Sequence, residues 1–327
     1  MRASIERFGS SGYVRAGNWI FGTGLRSREA RTLFEGMQAQ LSEAGSSMSR
    51  VARLDQYYPD ARCVGPYHAA RKQAFGAGQI APSTSVIVSR LQSPDAGMDV
   101  QVIAAASDSG YVPEPVQAGL NRPETSGYTP CLRVGDLIFV AGQLARDASG
   151  ELAAHGTSAE TEYLVRRRLL PALEAAGTGM DLVLKAQVYL SRPQDLAAFW
   201  QSWTQAFGNR VPPTTVVPLR HPAFLSSEAT VEVNVIAAHR SARARVRDIE
   251  CEAEARVLDG LLFIGGLTGI DQAESIFAAA GTNLSNVVRA LYFHSNIGEL
   301  RDPGFPFTAV EAADGPIVDL WGYAPNA

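Results

Sequence analysis

The sequence predicts an α+β fold made of three copies of one unit, each a small sheet with helices laid on one face. Two recurring patterns predict it. The first is a glycine-bounded apolar strand, read as "GNWIFGTGL" (Gly17–Leu25), "GDLIFVAGQ" (Gly135–Gln143) and "DGLLFIGGL" (Asp259–Leu267). The second is a helix end running into a strand: "EAGSSMSRVARLDQYY" from Glu43, "AAGTGMDLVLKAQVYL" from Ala175 and "AAGTNLSNVVRALYFH" from Ala279. Repeats place the units at residues 1–110, 111–240 and 241–327.

Each element has a local reason. Gly45, Gly177 and Gly281 end Ala-rich amphipathic helices, where a residue able to take positive φ is wanted. The apolar residues from Val51, Val183 and Val287 then form a strand against a core. Each unit closes with two strands joined by a loop, in Ala81–Ala106, Val211–Ala238 and the shortened Phe305–Ala324. The middle unit reads as the most complete, with one helix from Thr157, where "TSAE" resembles a capping box, and another through "DLAAFWQSWTQAFG". Pro171 is expected to kink the first of these. The third unit is expected to be truncated and to lack the second helix.

Composition narrows function. Of 327 residues, 46% are hydrophobic and 19% charged, and the formal net charge is −4. Nucleic acid is not expected as a partner, since phosphate binding needs a concentrated Lys/Arg field. The basic run "HRSARARVR" (His239–Arg247) reads as a solvated linker. Cys63, Cys131 and Cys251 are odd in number and widely spaced, which fits a reducing compartment and no disulfide framework. No secretory leader or membrane span is read, so a cytoplasmic location is expected. The five histidines, His68, His155, His221, His239 and His294, lack ligand spacing, so neither a metal nor another cofactor is expected. Glu250, Glu252 and Glu254 alternate as on a solvated strand face.

With these elements in hand, the middle unit, "GDLIFVAGQLARDASGELA" through "VPPTTVV" and "ATVEVNVIAA", resembles the RidA/YjgF family of imine and enamine deaminases. The likeness covers Tyr128–Ala238 well and the flanking units less closely. Family members are usually homotrimers with a site between neighbouring subunits. The resemblance therefore implies an intramolecular pseudo-trimer, sheets inward and helices outward, which could pair further into a homodimer.

It also implies site residues. The family's carboxylate-gripping arginine is absent: Ser83, Pro213 and Phe307 take its place, each followed by threonine (Thr84, Thr214, Thr308). Tyr128 matches the family's tyrosine and is a candidate to orient or protonate substrate. Gly142 is placed to offer a backbone N–H to developing negative charge. His68 and Trp200 replace a helix asparagine. The family's water-holding glutamate becomes Gln101, Asn234 and Asp319, so Asp319 is the candidate catalytic carboxylate, expected to be partly desolvated in "PIVDLWGYA". Arg90 and Arg220 are candidates for the lost carboxylate grip, with Thr214 and His68 as further substrate contacts.

The expected activity is hydrolysis or deamination of an unsaturated, anionic small molecule in a cleft between units. Chorismatases also resemble several such units in one chain, which offers an alternative: a lyase or hydrolase of a cyclic enol-ether acid. A non-catalytic ligand-binding or scaffold protein is the third reading, favoured by the missing arginine.

Overall fold

The computed structural model describes residues 5–8, 12–121, 126–220 and 222–325. It contains three six-stranded sheets of one topology. In the first, the spatial order is Ile5–Phe8, Tyr13–Ala16, Trp19–Ser27, Met98–Ala105, Val51–Tyr58, Ser83–Ile87. All neighbours are antiparallel except Val51–Tyr58 with Ser83–Ile87. The second sheet spans Pro113–Pro115 to Val231–Ala238, and the third Arg247–Asp248 to Ile317–Tyr323. The third sheet is thus as complete as the others. Its unit is shortened only in helices, having Ile270–Ala279 and then a single 3₁₀ turn at Ile297–Glu299 where the others carry a second helix.

The glycines that end the first helix of each unit adopt φ of 79° (Gly45), 75° (Gly177) and 72° (Gly281), a region costly for other residues. Pro171 lies just after a π-helical turn, Leu164–Leu169, so the irregularity expected there is a widened turn rather than a bend alone. The helix from Thr157 is not closed by the expected box. Glu160 does accept the Gly156 N–H at 3.2 Å, but the Thr157 hydroxyl donates instead to Asp195. Glu250, Glu252 and Glu254 also depart from expectation. Strand pairing stops at Asp248 and resumes at Ala255, which leaves them in a connecting loop.

Each sheet buries one face under its own helices and turns the other toward the remaining two sheets. The helix-covered cores are separate, and two further clusters draw on all three units. One gathers Phe21, Phe139 and Phe263. The other gathers Tyr57, Tyr189 and Phe293, whose ring centroids are 6.4, 6.1 and 6.2 Å apart, a nearly equilateral triangle. Such edge-on spacing is favourable for aromatic pairs. These three residues occupy matching places on the strands Val51–Tyr58, Val183–Leu190 and Val287–His294, so the units surround a common axis.

Contacts between units run in cyclic order. Asn234 of the second unit donates to Thr84 Oγ1 of the first at 2.9 Å. The Gly266 N–H of the third donates to the Thr214 carbonyl of the second at 3.0 Å. The Gly24 N–H of the first donates to Thr308 Oγ1 of the third at 2.9 Å. Three junctions result, each with a glycine-bearing strand of one unit against the short parallel strand of another.

Candidate active site

Between the two apolar clusters the axis is charged. Arg53, Lys185 and Arg289 stand at equivalent positions on the three central strands, and Asp55 and Asp319 answer them. Arg53 and Arg289 reach Asp55 at 2.7 and 2.8 Å, while Lys185 and Arg289 reach Asp319 at 2.8 and 3.3 Å. Burial alone would raise the Asp55 carboxyl, but the two guanidiniums outweigh it and hold it below its ordinary value. Lys185 is pushed down by burial, with Asp319 opposing. Asp319 is therefore a buried ion-pair member at the axis, clear of every cleft described below. Asp319 shares its face with Ile317 but stands two residues further along the strand Ile317–Tyr323, where Lys185 and Arg289 pair with it.

The junction of the first and second units opens into a cavity of about 470 Å³. Its wall is built from both sides. The first unit supplies His68 from the helix Val64–Phe75, and Ser83 and Ser85 from its short parallel strand. Tyr128, on the approach to the second sheet, lines it as well. The second supplies Gly142 at the end of Leu137–Gln143, Arg146 beyond it, Arg168 from the π turn, and Glu232 from Val231–Ala238.

Glu232 dominates the chemistry. It is 7% exposed, and among the described residues its carboxyl has no hydrogen-bond or ion-pair partner. Burial, with Asp55 adding to it and Arg53 and Arg146 opposing, pushes it up to about 8. Gly142 gives it room, because a Cβ there would collide with Glu232 Oε1 and push that side chain aside. His68 moves the other way: burial, and then the nearby Arg71 and Lys72, push it down to about 4, so its ring is neutral at pH 7.

The cavity is also cationic. Arg168 is 6% exposed and donates to Asn121 Oδ1 at 2.6 Å and Gln143 Oε1 at 2.8 Å, both neutral partners. Arg146 donates to the Gly150 carbonyl. Behind the wall, fully buried Arg71 donates to Ser83 Oγ at 2.9 Å and to the Ser126 carbonyl at 2.6 Å. No carboxylate pairs with these three guanidiniums among the described residues. Buried charge without a counter-ion is costly, and an anionic ligand would relieve it.

The other junctions differ at the same positions. Strand register sets Glu232 opposite Tyr189, Asp99 opposite Tyr57, and Ile317 opposite Phe293, so these three are equivalent. Asp99 faces the junction of the first and third units, where Arg26 meets it at 2.8 Å and Thr308 donates at 2.8 Å. Arg26 also reaches Gln92 and the Phe307 carbonyl, so the polar groups there satisfy one another. Ile317 lines the remaining cleft, about 330 Å³, together with Trp200 and Leu267, and contributes no acid.

The first cleft therefore unites Tyr128, Gly142 and His68 of the expected set. Thr214 lies in the cleft of the second and third units, its hydroxyl bonded to Trp203 Nε1 and the Pro212 carbonyl. Arg220 instead pairs with Glu311 at 3.1 Å, more than half of its side chain exposed, and Arg90 is exposed; neither lines a described cleft. Both leave the sheet at its solvent end, past the strands that form the junction. Sequence reasoning missed Glu232, Arg146 and Arg168. The available signal was parity: Glu232 lies two residues before Asn234, on the same face of the same strand. Among the described residues no cluster of three His, Cys, Asp or Glu side chains could hold a metal ion, and no helix is long and apolar enough to cross a membrane.

Residues 119–239 match the family model described as Endoribonuclease L-PSP. A RutC family protein of Pyrococcus horikoshii is 28% identical over 119 residues, covering 36% of this chain and 91% of that protein. A RutC family protein of Saccharolobus solfataricus is 28% identical over 110 residues, covering 34% and 85%. Over a longer span, a chorismatase crystal structure superposes with a TM-score of 0.56 at 14% identity, covering 72% of this chain and 79% of that one. At that identity the likeness is one of fold, and it extends beyond a single unit.

Proposed function

From the premise that residues 119–239 form an L-PSP-type unit of the RidA/RutC family, we propose that the chain is an enzyme acting on a small, unsaturated anion in the cleft of its first two units. The observation that carries this reading is Glu232: an unpartnered carboxyl inside a cleft lined by arginines. With its proton held up to about 8, Glu232 is a proton donor at neutral pH. Arg146 and Arg168 hold the anionic group, in place of the arginine missing from the family motif.

For an enamine, the Glu232 carboxyl gives its proton to the electron-rich β-carbon, and the C=C electron pair moves to form that C–H bond. The nitrogen lone pair forms the C=N bond of an iminium. Water then adds to the iminium carbon, giving its proton to the Glu232 carboxylate. Collapse of the carbinolamine expels ammonia and leaves a carbonyl. Tyr128 and the Gly142 N–H orient the reacting group, a role supported by both residues lining this cleft.

A second reading shares the first step. Protonation of the carbon of an enol ether, followed by water addition and loss of the alcohol, is the reaction expected of an acid kept protonated. That is the chemistry anticipated for a cyclic enol-ether acid, and the fold shared with a chorismatase makes chorismate the substrate to try. Turnover of 2-iminobutyrate generated in situ, run beside chorismate, separates the two. In either case Glu232→Gln should cut turnover by at least about 10²-fold while Arg220→Ala should not. Full activity in Glu232→Gln would refute the assignment, and tight anion binding without turnover of either compound would favour a binding protein.

A further inference from the structure

We propose that the cleft continues into an apolar subsite on the outer face of the helix Val64–Phe75, and that the substrate carries an apolar extension beyond its anionic head. This rests on reading the first cleft as a small-molecule site. A second cavity of about 440 Å³ adjoins the cleft and shares His68 and Leu225 with it. Its floor is Gly65 and Ala69, one helical turn apart, with Val64 beside them, Ala61 from the preceding 3₁₀ turn, and Lys72 at the edge.

Three observations point to an apolar occupant. Leu225 is 62% exposed, one of two large hydrophobic side chains so exposed among the described residues, and it stands where the two cavities meet. An isolated exposed leucine needs no explanation, but one at the mouth of a buried acid site offers a contact to whatever enters. His68, on the same boundary, is neutral at pH 7, which leaves Lys72 as the one charged side chain in the lining of the second cavity. The floor is open as well: a Cβ at Gly65 would meet nothing within 4 Å.

The internal repeat supplies a comparison. The second unit's helix Leu196–Phe207 has the same length and ends, like this one, in a glycine of positive φ. At the places of His68 and Ala69 it carries Trp200 and Gln201, whose bulk would occupy the floor. Only the first unit's helix leaves the path clear, and it is the one beside Glu232.

The test is calorimetric titration of butyrate and 4-phenylbutyrate into the full chain, wild type and two variants, Ala69→Trp and Leu225→Asp. Both positions are exposed, and unchanged circular dichroism and Tm confirm folding. The expected result is that 4-phenylbutyrate binds at least about tenfold more tightly than butyrate to the wild type. Ala69→Trp should erase that advantage and leave the butyrate Kd unchanged, with Leu225→Asp reducing it. Equal affinities in the wild type, or an advantage that survives Ala69→Trp, would overturn the subsite alone. Failure of both compounds to bind would overturn the anion cleft and the subsite with it.

Discussion

Glu232 combines three properties at one carboxyl: burial, no partner, and a neighbouring carboxylate, Asp55, that opposes its ionisation. Glu232→Gln should lower kcat by about 10²–10⁴-fold, the range of a lost general acid, with substrate binding retained. Activity of the wild type should fall as pH rises through about 8. Stability follows the same proton. The unfolded carboxyl titrates near 4.5 and the folded one near 8, so between these values the native state holds a proton that the unfolded chain has lost. Wild-type stability should therefore decline across that window. Glu232→Gln should flatten the decline and gain on the order of a few kcal/mol at pH 8 in urea titrations. Gly142→Ala is the complementary change: its methyl group must displace Glu232, so turnover should drop although no chemical group is removed.

At the scale of elements, the three junctions are the informative comparison. Two of them carry an acid at the same register position, and the difference lies in what meets it. The strand Trp19–Ser27 brings Arg26 onto Asp99, whereas Leu137–Gln143 ends in neutral Gln143 and brings no cation onto Glu232. Arg26→Met should leave Asp99 buried and unpaired, at a cost of about 3 kcal/mol at neutral pH. Burial already raises the Asp99 carboxyl despite Arg26. Without Arg26 it rises further, so the deficit should shrink as pH falls and Asp99 takes up its proton. Thermal melts at pH 7 and pH 4 would show it. The sheets were legible in the sequence because glycine-bounded strands and helix-ending glycines are local signals, repeated three times. The candidate cleft was not. Glu232 and His68 are brought together across two units, and nothing in the spacing of either says which junction they share. The ion pairs of Asp319 were hidden for a related reason: aligning it with the family glutamate gave no sight of Lys185 and Arg289 beside it.

For the whole molecule, the inner faces of the sheets have no cover except one another. Leu132, Phe139, Leu184 and Ile236 of the middle unit pack against residues of both other units. The chain should consequently unfold in one calorimetric transition, with equal van't Hoff and calorimetric enthalpies. Residues 111–240 expressed alone should self-associate rather than persist as a monomer. Asp319→Asn should lower stability by about 3–5 kcal/mol, because Lys185 would keep a buried charge without its counter-ion. That loss should be read in denaturation, with the folded variant still turning over substrate.

The ring of Tyr57, Tyr189 and Phe293 has one further consequence. In an assembly of identical subunits, any substitution at the centre is imposed on all three corners at once. Here each corner is encoded separately, so one position can exchange a phenol for a phenyl, or an acid for an isoleucine, while its counterparts keep theirs. Joining the units in one chain thus frees each junction to take up its own polar lining, which lets one stay open as a cleft while another closes on itself as mortar.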